Sequence, residues 1–237
     1  MMQKAKIIET NLEFERELEE RDETDLIVIH HTGDTDMDAS AAQIHSWHLN
    51  NGWAGIGYHY VIRKSGRIER GRPEDAIGSH AYGENGHSIG IHLCGGFNSA
   101  KPTKDQIESL ALLIANLCDE YDLPIDRDHI VGHREVNDDT TCPGDNLQAL
   151  LDDGTITGKA QYYFDEGREA EAETKEEAAK GRFNTLADVP EWAKPTIQKL
   201  TDKGLLGGDG KGLDLSLDMI RIFVVNDRAG VYDAAKG

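Results

Sequence analysis

The stretch LIVIHHTGD, residues 26–34, decides the fold class of this chain. Its four leading apolar residues are too few for a helix and are typical of a central strand. The strand runs into paired histidines, of which His30 is the first. A second stretch, GHREVNDDTTCPGD at residues 132–145, supplies His133 and Cys142 about a hundred residues later. Two imidazoles and one thiolate are a common ligand set for a catalytic zinc, with the fourth position left to water or substrate.

The pattern from residue 26 to about residue 150 alternates strands with helices. It predicts an α/β fold in which a central mixed β-sheet is flanked by helices. A short loop containing Gly66 joins two of the strand-like runs and indicates a β-hairpin. The predicted strands are Leu26–Ile29, Tyr58–Ile62, Arg67–Arg70, Ser88–Leu93 and His129–Val131.

Two helices are predicted within this region. Asp38 is the candidate cap of a helix over Ala39–Asn50. The clearer helix begins at Thr103, with Gln106 three residues later as the second half of a capping box. Apolar residues then recur at helical spacing as far as Tyr121, so this face is expected to pack on the sheet.

The composition changes after Leu151. Residues 165–180 read DEGREAEAETKEEAAK, which is typical of a solvated helix or a semi-rigid spacer, and we interpret them as a plain linker. The predicted division is a main domain over residues 1–152, a charged helical linker over residues 153–182 and a small all-α module over residues 183–237.

The module is predicted to contain two helices. The first starts at Asp188 and Pro190, presents Trp192, Ile197 and Leu200 on one face, and ends at Gly204. A loop follows with glycines at Gly207, Gly208, Gly210 and Gly212, and the second helix runs from Ser216 to Gly230. Two helices of this size bury little surface alone, so the module is expected to dock on the first domain or to pair with a second copy in a homodimer.

The net charge of −19, from 25 basic and 44 acidic residues, argues against binding of nucleic acid through its backbone. It also argues against simple electrostatic adhesion to anionic lipid or wall polymers, and we interpret it as a source of solubility. The apolar runs are short, so no membrane insertion is expected. Residues 1–23 lack the apolar centre of a secretory signal, which predicts synthesis and folding in the cytoplasm.

Three cysteines are too few and too widely spaced for a disulfide framework. Cys94 ends a predicted strand and Cys118 lies on the apolar face of a predicted helix, so both are expected to be buried, unreactive thiols. Cys142 lies in a polar loop and is the thiol available for chemistry. Pro143 and Gly144 follow it and prevent the loop from continuing as a helix, which suits a fixed ligand.

Four motifs together resemble the zinc-dependent N-acetylmuramoyl-L-alanine amidases, a family that includes the phage T7 lysozyme type and the animal peptidoglycan recognition proteins. The resemblance covers roughly residues 24–150 and implies hydrolysis of the amide between the lactyl group of muramic acid and L-alanine of the stem peptide. The motifs are IHHTGD (29–34), GWAGIGYHYVIRKSG (52–66), GSHAYGENGHSIGI (78–91) and GHREVNDDTTCPGD (132–145).

The resemblance implies that His30, His133 and Cys142 are the zinc ligands. His31 follows the first ligand at a position where the family accepts other residues, and it is not counted. Tyr58 matches the catalytic tyrosine of the family. Its phenol is expected to hydrogen-bond the zinc water or the oxyanion that forms on attack.

Other site residues are implied with less specific roles. Thr140 stands where the T7 type has a lysine and the recognition proteins have a threonine, so its hydroxyl either binds the oxyanion or stabilises the loop. His80 and Asn85 match a loop that lines the substrate groove and are expected to contact sugar hydroxyls and peptide amides. His92 is interpreted as a buried structural histidine. Glu135 is a candidate for orienting the loop of His133.

Residues 189–208, VPEWAKPTIQKLTDKGLLGG, resemble half of an S-layer-homology unit. This resemblance implies binding of a secondary cell-wall polymer. The chain departs from that pattern after Gly212, because the second helix lacks the usual threonine–arginine start. A structural or dimerising helix pair is the alternative.

The resemblances together imply a phage endolysin whose partner is bacterial peptidoglycan. Such an enzyme accumulates in the host cytoplasm and reaches the wall when a holin opens the membrane. The alternative is a non-catalytic peptidoglycan-binding protein of the same fold. Cys142 favours the enzyme, because relatives that only bind typically lack the cysteine ligand.

Overall fold

The computed structural model describes residues 3–180, 182–208, 212–228 and 231–232. Backbone contacts separate two compact units, residues 1–168 and residues 169–237. Among the described residues, no helix combines the length and the apolar character needed to cross a lipid bilayer.

The first unit is built on a mixed sheet. In the described part of the chain its strands are β1 (Ile7–Ile8), β2 (Leu26–His31), β3 (Tyr60–Ile62), β4 (Ile68–Arg70), β5 (Ser88–Leu93) and β6 (Ile130–Gly132). They lie in the order β1-β4-β3-β5-β2-β6. The hairpin pair β3 and β4 is antiparallel, and the other neighbours are parallel. The five predicted strands and the hairpin are confirmed, with bounds shifted by at most two residues, whereas β1 was not predicted.

Strand β2 lies between β5 and β6 and is buried along its whole length. This position explains why its sequence is a continuous apolar run and not an alternating one. The backbone register places His30 beside His92 and Ile29 beside Gly132. The residue after Gly132 is His133, so two of the predicted ligands leave the sheet at the same edge.

Helices cover this sheet and complete its core. They are α1 (Ala41–Asn50), α2 (Lys104–Glu120), α3 (Asp145–Asp152) and α4 (Thr155–Lys180). The predicted capping box of α2 is confirmed, since Thr103 and Gln106 exchange both hydrogen bonds. The buried side chain of Gln106 also donates to the carbonyls of Ile62 and Cys94, which fixes the start of α2 against two strands.

The first turns of α4, which fall inside the predicted linker, pack on this core. Ile156 and Ala160 are fully buried in the same apolar cluster as Ile29, Ile91 and Leu110. The boundary between the two compact units falls within α4, after residue 168. The sheet-containing unit therefore extends beyond the end of α3.

The prediction that Asp38 caps α1 is wrong. The cap is Ser40, whose hydroxyl accepts from the backbone N–H of Gln43 while the Gln43 side chain accepts from the backbone of Ser40. Asp38 forms an ion pair with Arg63 at 3.0 Å and accepts from the backbone of Lys64. The Ser-x-x-Gln spacing of a capping box was the better signal in the sequence.

The second unit contains the two predicted helices, here α5 (Lys194–Asp202) and α6 (Leu217–Arg228). A two-residue antiparallel pair accompanies them, β7 (Arg182–Phe183) with β8 (Leu215–Ser216). Helix α6 begins one residue after the predicted start at Ser216, and the Ser216 hydroxyl accepts from the N–H of Met219 in its first turn. Six buried apolar residues of this unit form one cluster: Val189, Ala193, Ile197, Leu215, Ile220 and Val224.

The predicted start of α5 at Asp188 is wrong. The helix begins at Lys194, and Pro195 occupies its first turn, where a missing N–H costs nothing. Asp188 accepts hydrogen bonds from Thr185 and closes a separate turn. Trp192 consequently lies before the helix and is 49% exposed, although its predicted companions on the apolar face, Ile197 and Leu200, are buried.

Two positions of the predicted module, Gly210 and Gly230, lie outside the described residues.

Candidate metal centre

Three potential metal ligands converge at the carboxyl end of β2. His30 is in the strand itself, His133 opens a short 3-10 turn after β6, and Cys142 lies in the loop before α3. One donor atom from each lies within 4.8 Å of the others. The Sγ of Cys142 is 3.7 Å from Nδ1 of His30. The ring centroids of His30 and His133 are 4.5 Å apart.

These three side chains fit a metal ion. The Nε2 of His133 is buried and has no hydrogen-bond partner among the described residues, which is costly unless a ligand satisfies it. Zinc bonds of about 2.3 Å to sulfur and 2.0–2.1 Å to nitrogen, at a tetrahedral angle, place sulfur and nitrogen about 3.5 Å apart. The observed distance between Cys142 and His30 is close to this value.

The protonation of the ligands follows from their burial. Desolvation lowers the pKa of His30 and of His133, so both imidazoles are neutral at pH 7, as metal coordination requires. Burial raises the pKa of the Cys142 thiol to about 12, although a backbone hydrogen bond from His31 and the charge of Arg134 act in the opposite direction. A metal that binds here must therefore displace a proton from sulfur.

The loop of Cys142 is tied to the residue after His133. The backbone N–H of Arg134 donates to the carbonyl of Cys142 at 2.7 Å. The Arg134 guanidinium pairs with Asp145 and donates to the carbonyl of Thr141. Two of the three candidate ligands, His133 and Cys142, thus lie in one segment that hydrogen bonds and an ion pair hold together.

Thr140 and Glu135 both support this segment. The hydroxyl oxygen of Thr140 accepts from the backbone N–H of Cys142 at 3.1 Å, which is the contact of a loop-stabilising residue. Its hydroxyl proton is still available to a substrate, so both predicted roles remain compatible with the geometry. Glu135 accepts from the backbone N–H of Gly132 and forms an ion pair with Arg127, and it thereby fixes the turn that carries His133.

Tyr58 lies beside the ligands. It precedes β3, so it is not part of the strand in which the sequence placed it. Its ring centroid is 5.0 Å from that of His30 and 4.7 Å from that of His92. Burial raises the pKa of the Tyr58 phenol, and nearby Cys142 adds to this, so the group is protonated and can donate a hydrogen bond.

His80 and Asn85 have partners within the protein. Nδ1 of His80 is 3.1 Å from Nε2 of His30, so the ring contacts a predicted metal ligand directly. The side-chain oxygen of Asn85 accepts from the backbone N–H groups of His80 at 2.7 Å and Ala81 at 2.9 Å. Contact of either residue with a substrate stays a prediction.

Other histidines near the centre are engaged elsewhere. Nδ1 of His31 accepts from the backbone N–H of Phe97, which keeps this ring apart from the three ligands. His92 is buried, and its Nε2 lies 3.2 Å from the hydroxyl of Thr32. The contact that sequence reasoning missed is the one between His30 and His80. The two residues are fifty positions apart in the sequence. No rule of sequence spacing predicts that a loop residue such as His80 will contact a residue at the end of a distant strand.

The sequence pattern of the N-acetylmuramoyl-L-alanine amidase family matches residues 20–145. The chain belongs to this amidase family. The match includes every candidate site residue discussed above, and the second compact unit lies outside it. It thus confirms the family that the four motifs resemble.

Relatives of the amidase domain include phage and animal proteins. The endolysin of Escherichia phage T7 is 35% identical over 138 residues, which cover 56% of this chain and 88% of that protein. The solved endolysin amidase LysCS from Clostridium intestinale is 39% identical, with a TM-score of 0.56 over 62% of this chain and 91% of its own. A recognition-protein chain in the solved complex of peptidoglycan recognition proteins LCa and LCx with tracheal cytotoxin is 27% identical to this chain. Its TM-score is 0.55, over 61% of this chain and 93% of its own. The two endolysin likenesses support an amidase that hydrolyses peptidoglycan.

Replacement of Asn85 tests whether its role is to hold the loop. Asn85→Ala removes the acceptor of two backbone N–H groups, and we expect the free energy of unfolding to fall by about 1–3 kcal/mol. Asn85→Asp keeps an acceptor oxygen at the same place and should retain most of that stability. Urea denaturation of the full chain measures both. Equal stability of Asn85→Ala and the unmodified protein would contradict the loop role and leave substrate contact as the explanation of this residue.

Proposed function

We propose that the protein is a zinc-dependent endolysin that hydrolyses the amide bond between N-acetylmuramic acid and L-alanine of bacterial peptidoglycan. The observation that carries this proposal is the convergence of His30, His133 and Cys142 inside the domain that matches the amidase family. Mixed imidazole and thiolate ligation favours zinc over the harder cations, which prefer oxygen ligands.

The residues of the chain supply the groups that such a reaction needs. Bound zinc would act as a Lewis acid toward the scissile carbonyl and lower the pKa of water. We assign to the protonated phenol of Tyr58, whose ring lies 5.0 Å from that of His30, the role of donating to the substrate oxygen on which negative charge develops. The hydroxyl of Thr140, whose oxygen already accepts from Cys142, keeps its proton for the same purpose.

The deciding experiment is digestion of purified peptidoglycan with and without a chelator, followed by mass spectrometry of the products. We expect release of intact stem peptides with a free L-alanine amine, and loss of that release when the chelator is present. Cys142→Ser should lose both metal and turnover. Cys118→Ala is the matched control, because this thiol is buried in the core and is not one of the three candidate ligands.

Two outcomes would overturn parts of the proposal. Full activity of Cys142→Ser without bound metal would remove the zinc mechanism. Binding of peptidoglycan without any new amine would favour the alternative, a recognition protein that does not hydrolyse, which the likeness to the LCa and LCx complex with tracheal cytotoxin supports. Cys142 favours hydrolysis over recognition alone, because relatives that only bind typically lack this cysteine.

Replacement of Tyr58 separates chemistry from metal binding. Tyr58→Phe removes one donor from the developing oxyanion, and we expect kcat to fall about 10²-fold or more while zinc content is unchanged. Tyr60→Phe is the control, because Tyr60 lies two residues away with its ring buried in the core. An unchanged kcat in Tyr58→Phe would exclude the phenol from the reaction.

We also propose that residues 183–237 hold the enzyme on the wall by binding a secondary cell-wall polymer. Support comes from the likeness of residues 189–208 to an S-layer-homology half-unit and from the separate apolar cluster of this unit. A homodimer contact through the helix pair is the other use of such a unit.

Truncation after Lys180 tests the wall-binding role. The shortened chain should hydrolyse soluble peptidoglycan fragments as fast as the full chain, because it keeps the complete metal centre. Its sedimentation with intact cell walls should be weaker. If both chains sediment equally, the wall-binding role is wrong. Loss of a dimer in light scattering, with retention unchanged, would assign the unit to dimerisation.

A further inference from the structure

We propose that His80 is a positioning residue for the metal ligand His30. A chain of hydrogen bonds through His80 and Ser88 holds His30 in the tautomer that leaves Nδ1 free for zinc. The inference rests on the proposed zinc site for its consequence, whereas the hydrogen bonds are contacts between residues of the chain itself.

The chain of contacts starts at a backbone carbonyl. The hydroxyl of Ser88, at the start of β5, donates to the carbonyl oxygen of Glu84 at 2.6 Å. The same hydroxyl oxygen is 3.5 Å from Nε2 of His80. On the other side of the ring, Nδ1 of His80 is 3.1 Å from Nε2 of His30.

The direction of each hydrogen bond is fixed by that first donor. A carbonyl oxygen can only accept, so the Ser88 proton points to Glu84 and its oxygen is left to accept. Nε2 of His80 must then carry the N–H of the neutral ring. Its Nδ1 is therefore an acceptor, and it takes the N–H of Nε2 of His30.

The consequence for His30 is a free Nδ1. A neutral imidazole has one N–H, and in His30 that proton is at Nε2. The remaining nitrogen is the one that faces Cys142, with Sγ 3.7 Å away. The nitrogen that would bind zinc is thus kept unprotonated by a contact on the far side of the ring, which is the usual arrangement around metal-ligating histidines.

The His80 ring is held in a narrow slot. A Cβ atom added to Gly90 or to Gly78 would lie 2.5 Å from Cδ2 of His80, so a side chain at either glycine would collide with the ring. The backbone of His80 is fixed as well, because its N–H donates to Asn85 at 2.7 Å. The ring therefore cannot turn toward a substrate without leaving His30.

Two variants of similar shape test whether the hydrogen-bond acceptor at the Nδ1 position of His80 is what matters. His80→Asn places its side-chain oxygen where Nδ1 was, whereas His80→Leu has nearly the same shape and no acceptor. We expect zinc affinity, measured by competition with a chromophoric chelator, to be close to that of the unmodified protein in His80→Asn. In His80→Leu it should fall about 10- to 100-fold. The control is His87→Asn, because this half-buried histidine of the same loop pairs with Asp25 and not with His30; it should leave the zinc affinity unchanged.

A second readout needs no zinc. Long-range ¹H–¹⁵N spectra of the histidine rings in the metal-free full chain should show His30 with its proton on Nε2, and mixed tautomers in His80→Leu. This measurement also covers the case in which a variant folds poorly, because the tautomer of the unmodified protein is itself diagnostic.

The outcomes distinguish this inference from the proposed function. A proton on Nδ1 of His30 in the unmodified metal-free protein would overturn the inference, and so would equal zinc affinity of His80→Asn and His80→Leu. Failure of the unmodified protein to bind zinc would overturn the proposed function, yet the His30 tautomer would still decide the hydrogen-bond chain. If the protein binds zinc but does not cleave the amide, the zinc affinities of His80→Asn and His80→Leu would still test the inference.

Discussion

The parallel pairing of β2 with β6 is the constraint on which the rest of the site depends. Two parallel strands end at the same edge of a sheet, and the register of Ile29 with Gly132 brings His30 and His133 out together. Side chains alternate between the faces of a strand, so a slip by one residue would exchange His30 for His31. The complete burial of β2 between two neighbours makes such a slip costly, because every apolar side chain would change faces with it.

The third candidate ligand is held at this edge by contacts with residues near it in the chain. Cys142 is joined to the His133 turn by a main-chain hydrogen bond from Arg134 and by the ion pair of Arg134 with Asp145. Tyr58 and His80 then approach His30 from two other loops. The sheet thus sets where His30 and His133 leave its edge, and the loops place the other side chains of the candidate site around them.

Much of this arrangement could be predicted from the sequence, for identifiable reasons. The apolar run of β2, the hairpin at Gly66 and the Thr103–Gln106 capping box depend on residues close together in the chain, and each is found in the structure. The cap of α1 was misplaced because Asp38 and Ser40 are both good capping residues, and the start of α5 was misplaced because the residue before it, Ala193, makes no side-chain cap. The pairing of His30 with His80 could not be predicted, since it depends on how a loop returns to the sheet.

Burial of the three thiols has a consequence for redox chemistry. The pKa of Cys94, of Cys118 and of Cys142 is raised to about 12 by desolvation. Peroxides and disulfides react with the thiolate and hardly at all with the thiol. These three thiols are therefore expected to oxidise slowly, Cys142 at the candidate metal centre among them.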